Sequence, residues 1–350
     1  MRRFKLIVLL IIISAAIVGL GAFGLRLRNR PESQPVAVSV LRTEQKYRRA
    51  LDGIFVTCST QSCAEEMRPP FAGVMVENMV EAQPISGLAQ ANFVIEAITE
   101  SNITRFLTFY TLEEGREIAK IGPVRSARPY YLDFAAELDS LYAHVGSSPA
   151  AYELLRKVGV EGVYDLDQWY NSQYFWRDNG RERRAPHNVF SSAELLRKAY
   201  GEQNIDSKFE SWQFKDDAPP DLRGNVNDIR VSYFAPYNVQ WLYDKSANIY
   251  KRMQWGGIHR DAQWQEIVAK NIAVAFQKME VLDNIGRKKF TTIGKGKGLV
   301  FQDGRVVVGT WKKPSARERL RFYDGEGKEV EFNAGVSWVH IMPEGYNVAY

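Results

Sequence analysis

The 350-residue sequence predicts an α/β domain built on a mixed sheet with helices, then a smaller β-rich domain, with one transmembrane helix ahead of both. Three observations predict this. An uncharged apolar run fills residues 6–25. Over residues 50–213, short apolar segments with β-branched content give way to segments of helical period. From residue 229 onward, short strand patterns punctuated by turn residues take over.

The first element is "LIVLLIIISAAIVGLGAFGL", residues 6–25. At about 1.5 Å per residue it matches a hydrocarbon core roughly 30 Å thick. Ala22-Phe23-Gly24 is a small-x-small triplet, so residues 1–30 also read as a cleavable signal. No cysteine lies near the end of the run, which leaves no lipidation site. Basic residues on both flanks leave the charge rule undecided. A single N-terminal span ahead of a large soluble body exports that body, so the expected location is the cytoplasmic membrane with the soluble domains outside. Residues 31–49, polar and Pro-containing, read as a tether.

Within the α/β domain, "FAGVMVEN" (71–78), "ANFVIEAIT" (91–99), "TRFLTFYT" (104–111) and "EIAKIGPV" (117–124) read as strands. Helical periods cover 128–142, 148–159 and 191–201. The first two open on Pro129 and Pro149, and Ser148 and Gly159 supply a cap and a stop. Residues 214–228, rich in Asp, Pro and Gly, mark a linker. Residues 229–350 carry the β-rich domain, with Asp303-Gly304 and Asp324-Gly325 as hairpin signals. "GKGKG" (294–298) lacks the residue order of a phosphate loop and reads as a flexible turn. The Trp and Tyr residues of this half read as sheet core or edge.

Charge and motif content narrow the function. The net charge of +5 is mild, and the one dense basic run, "RDNGRERR", contains two acids, so nucleic acid is not an expected partner. Four histidines and two cysteines form no metal-ligand spacing, and neither HExxH nor GxSxG occurs. No metal or cofactor is expected. Cys58 and Cys63, in "CSTQSC", suit a local disulfide in an exported chain.

The polar residues at the inferred strand ends are the candidates for chemistry. Arg105, Arg125, Arg128, Arg184 and Asn188 form the expected ligand-binding set; planar guanidiniums suit phosphate or carboxylate. His144, His187 and Glu96 are the acid/base candidates. Glu77 and Glu96 each sit in an apolar strand, where a carboxylate needs an arginine partner such as Arg105 or serves as a catalytic base.

These blocks carry a resemblance. "FAGVMVEN", "NITRFLTFY", "IGPVRSARPYY", "YAHVGSSPAAYELL" and "RRAPHNVF" resemble the YerB-type family of bacterial extracytoplasmic lipoproteins, and "GLVFQDGRVVVGTWKK" with "SWVHIMP" resembles its smaller C-terminal domain. The similarity spans about residues 50–345 and implies architecture and compartment rather than a reaction. The missing lipobox cysteine argues for a transmembrane tether, through residues 6–25, in place of a lipid.

The expected function is capture of an anionic envelope glycan, phosphate or carboxylate in an Arg/His cleft, with a protein partner available to the C-terminal domain. The alternatives are an envelope hydrolase or transferase using a His acid/base, and a purely structural scaffold.

Overall fold

The computed structural model describes residues 46–57, 63–180 and 184–350; the expected anchor, tether residues 31–45 and Cys58 lie outside them. Ten strands form one mixed sheet. They are β1 (Phe71–Glu77), β2 (Phe93–Ile98), β3 (Thr104–Thr111), β4 (Ser140–His144), β5 (Val163–Asp167), β6 (Asn271–Gln277), β7 (Gly294–Gln302), β8 (Arg305–Lys313), β9 (Arg321–Tyr323) and β10 (Ser337–Pro343). Their spatial order is β9-β8-β7-β6-β10-β2-β3-β1-β4-β5. Strands β5, β4, β1, β2, β10 and β6 point the same way, and β3 runs against them between β1 and β2. Residues 45–350 form one compact unit.

Every residue of β1, β2 and β3 is buried. Strands covered on both faces need near-continuous apolar sequence, which is why these segments were legible. Alternation sends Ala72, Val74 and Val76 to one face and Phe71 and Met75 to the other. A second, antiparallel sheet built on Asp228–Val231, Val239–Asp244 and Ile249–Gln254 covers the first face, bringing Trp241 and Tyr250 into its core. Helix α1 (Pro129–Ala136) lies on the opposite face through Tyr131 and Phe134. Each such apolar side chain contributes about 1.5–3 kcal/mol by leaving water. The C-terminal half therefore completes the N-terminal sheet: β10 pairs in parallel with β2.

Helix punctuation follows the sequence. Ser148 Oγ accepts from the Ala151 amide ahead of α2 (Pro149–Glu153), and Gly159, with φ of 79°, ends the turn that continues it. Ser192 Oγ caps α3 (Ala193–Glu202) by accepting from the Leu195 amide. Asp303 and Gly304, with φ of 53° and 66°, join β7 to β8 as a two-residue type I′ turn.

Three expectations are corrected. The helix predicted over 128–142 stops at Ala136, and Asp139 turns the chain with φ of 50°. Residues 140–144 then become β4, buried throughout between β1 and β5. The apolar spacing of Leu138 and Leu141 matched a helical period while serving two different elements. Residues 117–124 form no strand, because Ile121, Gly122 and Val124 bridge Ser191, Ser86 and Val76 in turn. "GKGKG" belongs to β7. A Cβ on Gly296 would stand 2.7 Å from Trp311 Nε1 and 2.8 Å from the Phe276 carbonyl, which that indole bonds at 2.7 Å. Glycine there makes room for the indole.

Candidate functional site

The shared strand direction gathers polar residues at one rim of the sheet. Glu77 ends β1, Arg105 stands opposite it in register near the start of β3, and His144 ends β4. The segment leading into α1 crosses this rim. Arg125 N donates to Met75 O (2.8 Å) and Arg125 O accepts from Val145 N (3.1 Å), so its backbone straddles β1 and β4. Arg128 occupies the N-cap position of α1.

Two of the three rim arginines are neutralised by carboxylates. Arg125 Nε lies 3.0 Å from Glu77 Oε1, and His187 Nδ1 lies 2.7 Å from Glu77 Oε2. Arg128 grips Glu100 with two bonds of 2.7 Å. Burial opposes ionisation of Glu100, yet the bonds and charge of Arg128 hold its carboxyl below the usual range. Arg105 differs. It is 6% exposed, donates to Ser126 O at 2.8 Å and forms no ion pair among the described residues. Burial, then the charges of Arg128 and Arg125, press its guanidinium down to about 10, so it stays charged at neutral pH. The Tyr142 hydroxyl, pushed up by burial, responds to the charges of Arg105 and Arg128 and has no hydrogen-bond partner among the described residues.

The remaining candidates do not join this cluster as free groups. His144 is 1% exposed, with Nδ1 2.8 Å from Gly146 O and Nε2 2.6 Å from Asp165 Oδ1. With both ring nitrogens engaged, it closes the β4–β5 end. Asn188 is buried, accepting from Arg177 Nη1 (3.0 Å) and donating to Asn179 Oδ1 (3.3 Å), so it closes its own loop. Arg184 is exposed and forms no ion pair among the described residues. Cys63 is disulfide-bonded. Among the described residues no cluster of His, Cys, Asp and Glu could hold a metal ion.

Glu96 has a different arginine partner from the one expected. It is fully buried, and Arg252, not Arg105, holds it with bonds of 3.0 and 3.1 Å. Trp338 Nε1 donates to it at 2.9 Å. Tyr233 and Trp241 fix His340 beside it: the Trp241 indole can only donate, so His340 Nε2 accepts at 3.0 Å and Nδ1 carries the proton. Burial and the Arg252 charge hold His340 well below its ordinary value of 6.5. As pH falls through 6.5 the unfolded chain gains a proton that the folded chain refuses, so stability is lost below that value. His340→Asn should flatten the decline by about 1.4 kcal/mol per pH unit, as read from denaturation series between neutral and mildly acidic pH.

The indole and imidazole content of the C-terminal half was not legible as a site. Trp264, expected as sheet core or edge, is 81% exposed, and Arg252 gave no local signal beyond a charge inside a strand pattern.

Comparison with known proteins gives a consistent result. Residues 57–206 match the N-terminal domain model, and residues 229–339 the C-terminal domain model, of a family described as proteins of unknown function, DUF3048. YerB of Bacillus subtilis, named as a candidate lipoprotein, is 32% identical over 307 residues, spanning 86% of this chain and 88% of its own length. The crystal structure of YerB from Bacillus subtilis superposes with a TM-score of 0.73 at 27% identity, covering 87% of this chain and all of the solved one.

Proposed function

We propose, on the premise that this chain belongs to the DUF3048 family, that it is a membrane-tethered extracytoplasmic protein binding an anionic envelope group at the Arg105 rim. The carrying observation is the unequal pairing of the rim arginines. Arg125 and Arg128 have carboxylates, while Arg105 is buried without one among the described residues. Glu100 acts on Arg105 only without direct contact; a buried guanidinium lacking a direct ion pair is costly, and an anion from outside offsets that cost. The unpartnered Tyr142 hydroxyl adds a donor in the same field. The location rests on the apolar run at residues 6–25 and on the lipoprotein wording of the relative's name. A helical tether replaces a lipid in this reading, since the two cysteines lie at 58 and 63, past the run.

Phosphate and carboxylate share the chemistry. Thermal unfolding with inorganic phosphate or galacturonate separates them. Wild type should gain Tm with one or both by mass action, and Arg105→Gln should lose the gain. Equal gains in the two proteins would overturn the assignment. A second reading, an envelope hydrolase or transferase, is favoured by the Glu77–His187 contact: a buried carboxylate orients an imidazole as an acid/base requires. Hydrolysis of an envelope ester or glycoside that His187→Asn abolishes would select it. Silence in both assays leaves the scaffold reading, with the C-terminal half meeting a protein partner.

A further inference from the structure

A second concavity, lined by residues other than those of the arginine rim, has unused hydrogen-bonding capacity. It encloses about 370 Å³ between Pro84, Trp255, Ile258, His259, Asp261 and Trp264. Four of its lining side chains each bury a polar atom with no hydrogen-bond partner among the described residues: Gln83 Oε1, Trp255 Nε1, His259 Nε2 and Asp261 Oδ2. Leaving such groups unmet costs about 1–3 kcal/mol each. His259 is 3% exposed and Asp261 2%.

The chemistry of each atom follows from its neighbours. Arg252 Nη1 can only donate, so His259 Nδ1 accepts at 2.6 Å and Nε2 carries the proton. Burial and the same arginine keep this imidazole neutral, well below 6.5. Asp261 Oδ1 is committed to the amides of Gln263 (2.9 Å) and Gln265 (3.1 Å), which leaves Oδ2 as an acceptor. The lining residues thus carry two neutral N–H donors, Trp255 Nε1 and His259 Nε2, and two acceptor oxygens, Asp261 Oδ2 and Gln83 Oε1, all four buried beneath the surface of the cleft.

That combination selects a ligand class. Asp261 repels an anion, while Arg260, itself bonded to Glu266 at 2.6 Å, and the two N–H donors repel a cation. A neutral ring with hydroxyls that both donate and accept suits donors and acceptors alike, and its C–H face suits the negative face of an indole. The backbone agrees. Trp255 and Gly256, with φ of 52° and 81°, form a two-residue turn closed by Gln254 and Gly257. Type I′ turns favour Asn-Gly, and a bulky indole in the left-handed region costs about 1–2 kcal/mol. Trp264 takes the same region with φ of 61° while remaining 81% exposed. The Trp255 indole stands edge-on to the His259 ring at 5.1 Å, whereas the placement of Trp264 is not explained by core packing.

We infer that this cleft is a binding subsite for a neutral sugar ring, with Trp264 as the stacking face, Trp255 Nε1 and His259 Nε2 as donors, and Asp261 Oδ2 as acceptor. The test uses the full-length chain in a non-glycosidic detergent, titrated with cellotetraose and with chitotetraose while intrinsic tryptophan fluorescence is followed. Saturable binding of either sugar is expected. Trp264→Ala should weaken it about tenfold or more without lowering Tm, because the side chain is mostly solvent-exposed. Trp169→Ala, removing another indole that is 69% exposed, should leave affinity unchanged. Absence of saturable binding to both sugars, or equal affinity in wild type and Trp264→Ala, would overturn the assignment. Phosphate stabilisation lost in Arg105→Gln reports on the other site and neither supports nor weakens this one.

Discussion

Arg252→Met should cost residues 45–350 about 3–5 kcal/mol of unfolding free energy, the range for stripping one partner from a buried ion pair. Glu96 and Arg252 are both fully buried, 156 residues apart in the chain, and bonded twice. The guanidinium also lies 5.0 Å from the Trp338 ring and 5.4 Å from Phe106. Methionine fills much of this volume but leaves the Glu96 carboxylate with the Trp338 indole as its remaining side-chain donor. The double variant Glu96→Leu with Arg252→Met removes both charges and should recover most of the loss, since an apolar pair of similar volume is often neutral or better. Urea denaturation of the single and double variants measures the coupling. A single variant as stable as wild type would mean that the pair contributes nothing to holding the smaller sheet against β2.

The contrast between what the sequence revealed and what it hid follows from where information is local. Strands β1, β2, β3 and β10 could be read because burial on both faces demands unbroken apolar runs, as in "FAGVMVE" and "SWVHIMP". Strand β4 was hidden because "SLYAH" continues an apolar spacing that a helix would also show, and its identity depends on β1 and β5 flanking it. In the sequence Arg105 and Arg125 read as strand-end residues, but Glu77 reads as lying inside its strand, and the segment before Arg125 forms isolated bridges rather than a strand. The pairings were not legible: Glu96 finds Arg252 and Glu77 finds His187 only through the sheet order. The tryptophan cleft was the least legible feature. Trp255 and Trp264 sit in turns that a composition-based reading assigns to small polar residues.

The second large effect is expected at Glu137, where Glu137→Gln should also remove about 3–5 kcal/mol. Glu137 is the C-cap residue of α1, at 1% exposure. Its Oε2 accepts from Lys313 Nζ (2.7 Å) and the Leu320 amide (2.9 Å), and Arg319 Nη1 stands 3.6 Å from Oε1. Lys313 ends β8 and is fully buried; Arg319 is 3% exposed, 4.5 Å from the Trp212 ring and 5.1 Å from Phe93. Burial presses the Arg319 guanidinium down to about 10, against the attraction of Glu137. One carboxylate thus balances two buried cations and joins the helix of the N-terminal half to the strands of the C-terminal half. Glutamine keeps the shape and an acceptor oxygen while deleting the charge, so the loss isolates electrostatics from packing. The midpoint in urea should fall with an unchanged slope, because the same surface is exposed on unfolding. Adding Arg319→Met to Glu137→Gln removes one of the two stranded cations and should restore part of the loss. If the added change deepens the defect instead, stacking of Arg319 between aromatic rings outweighs its charge, and the balance of charges drawn here is wrong.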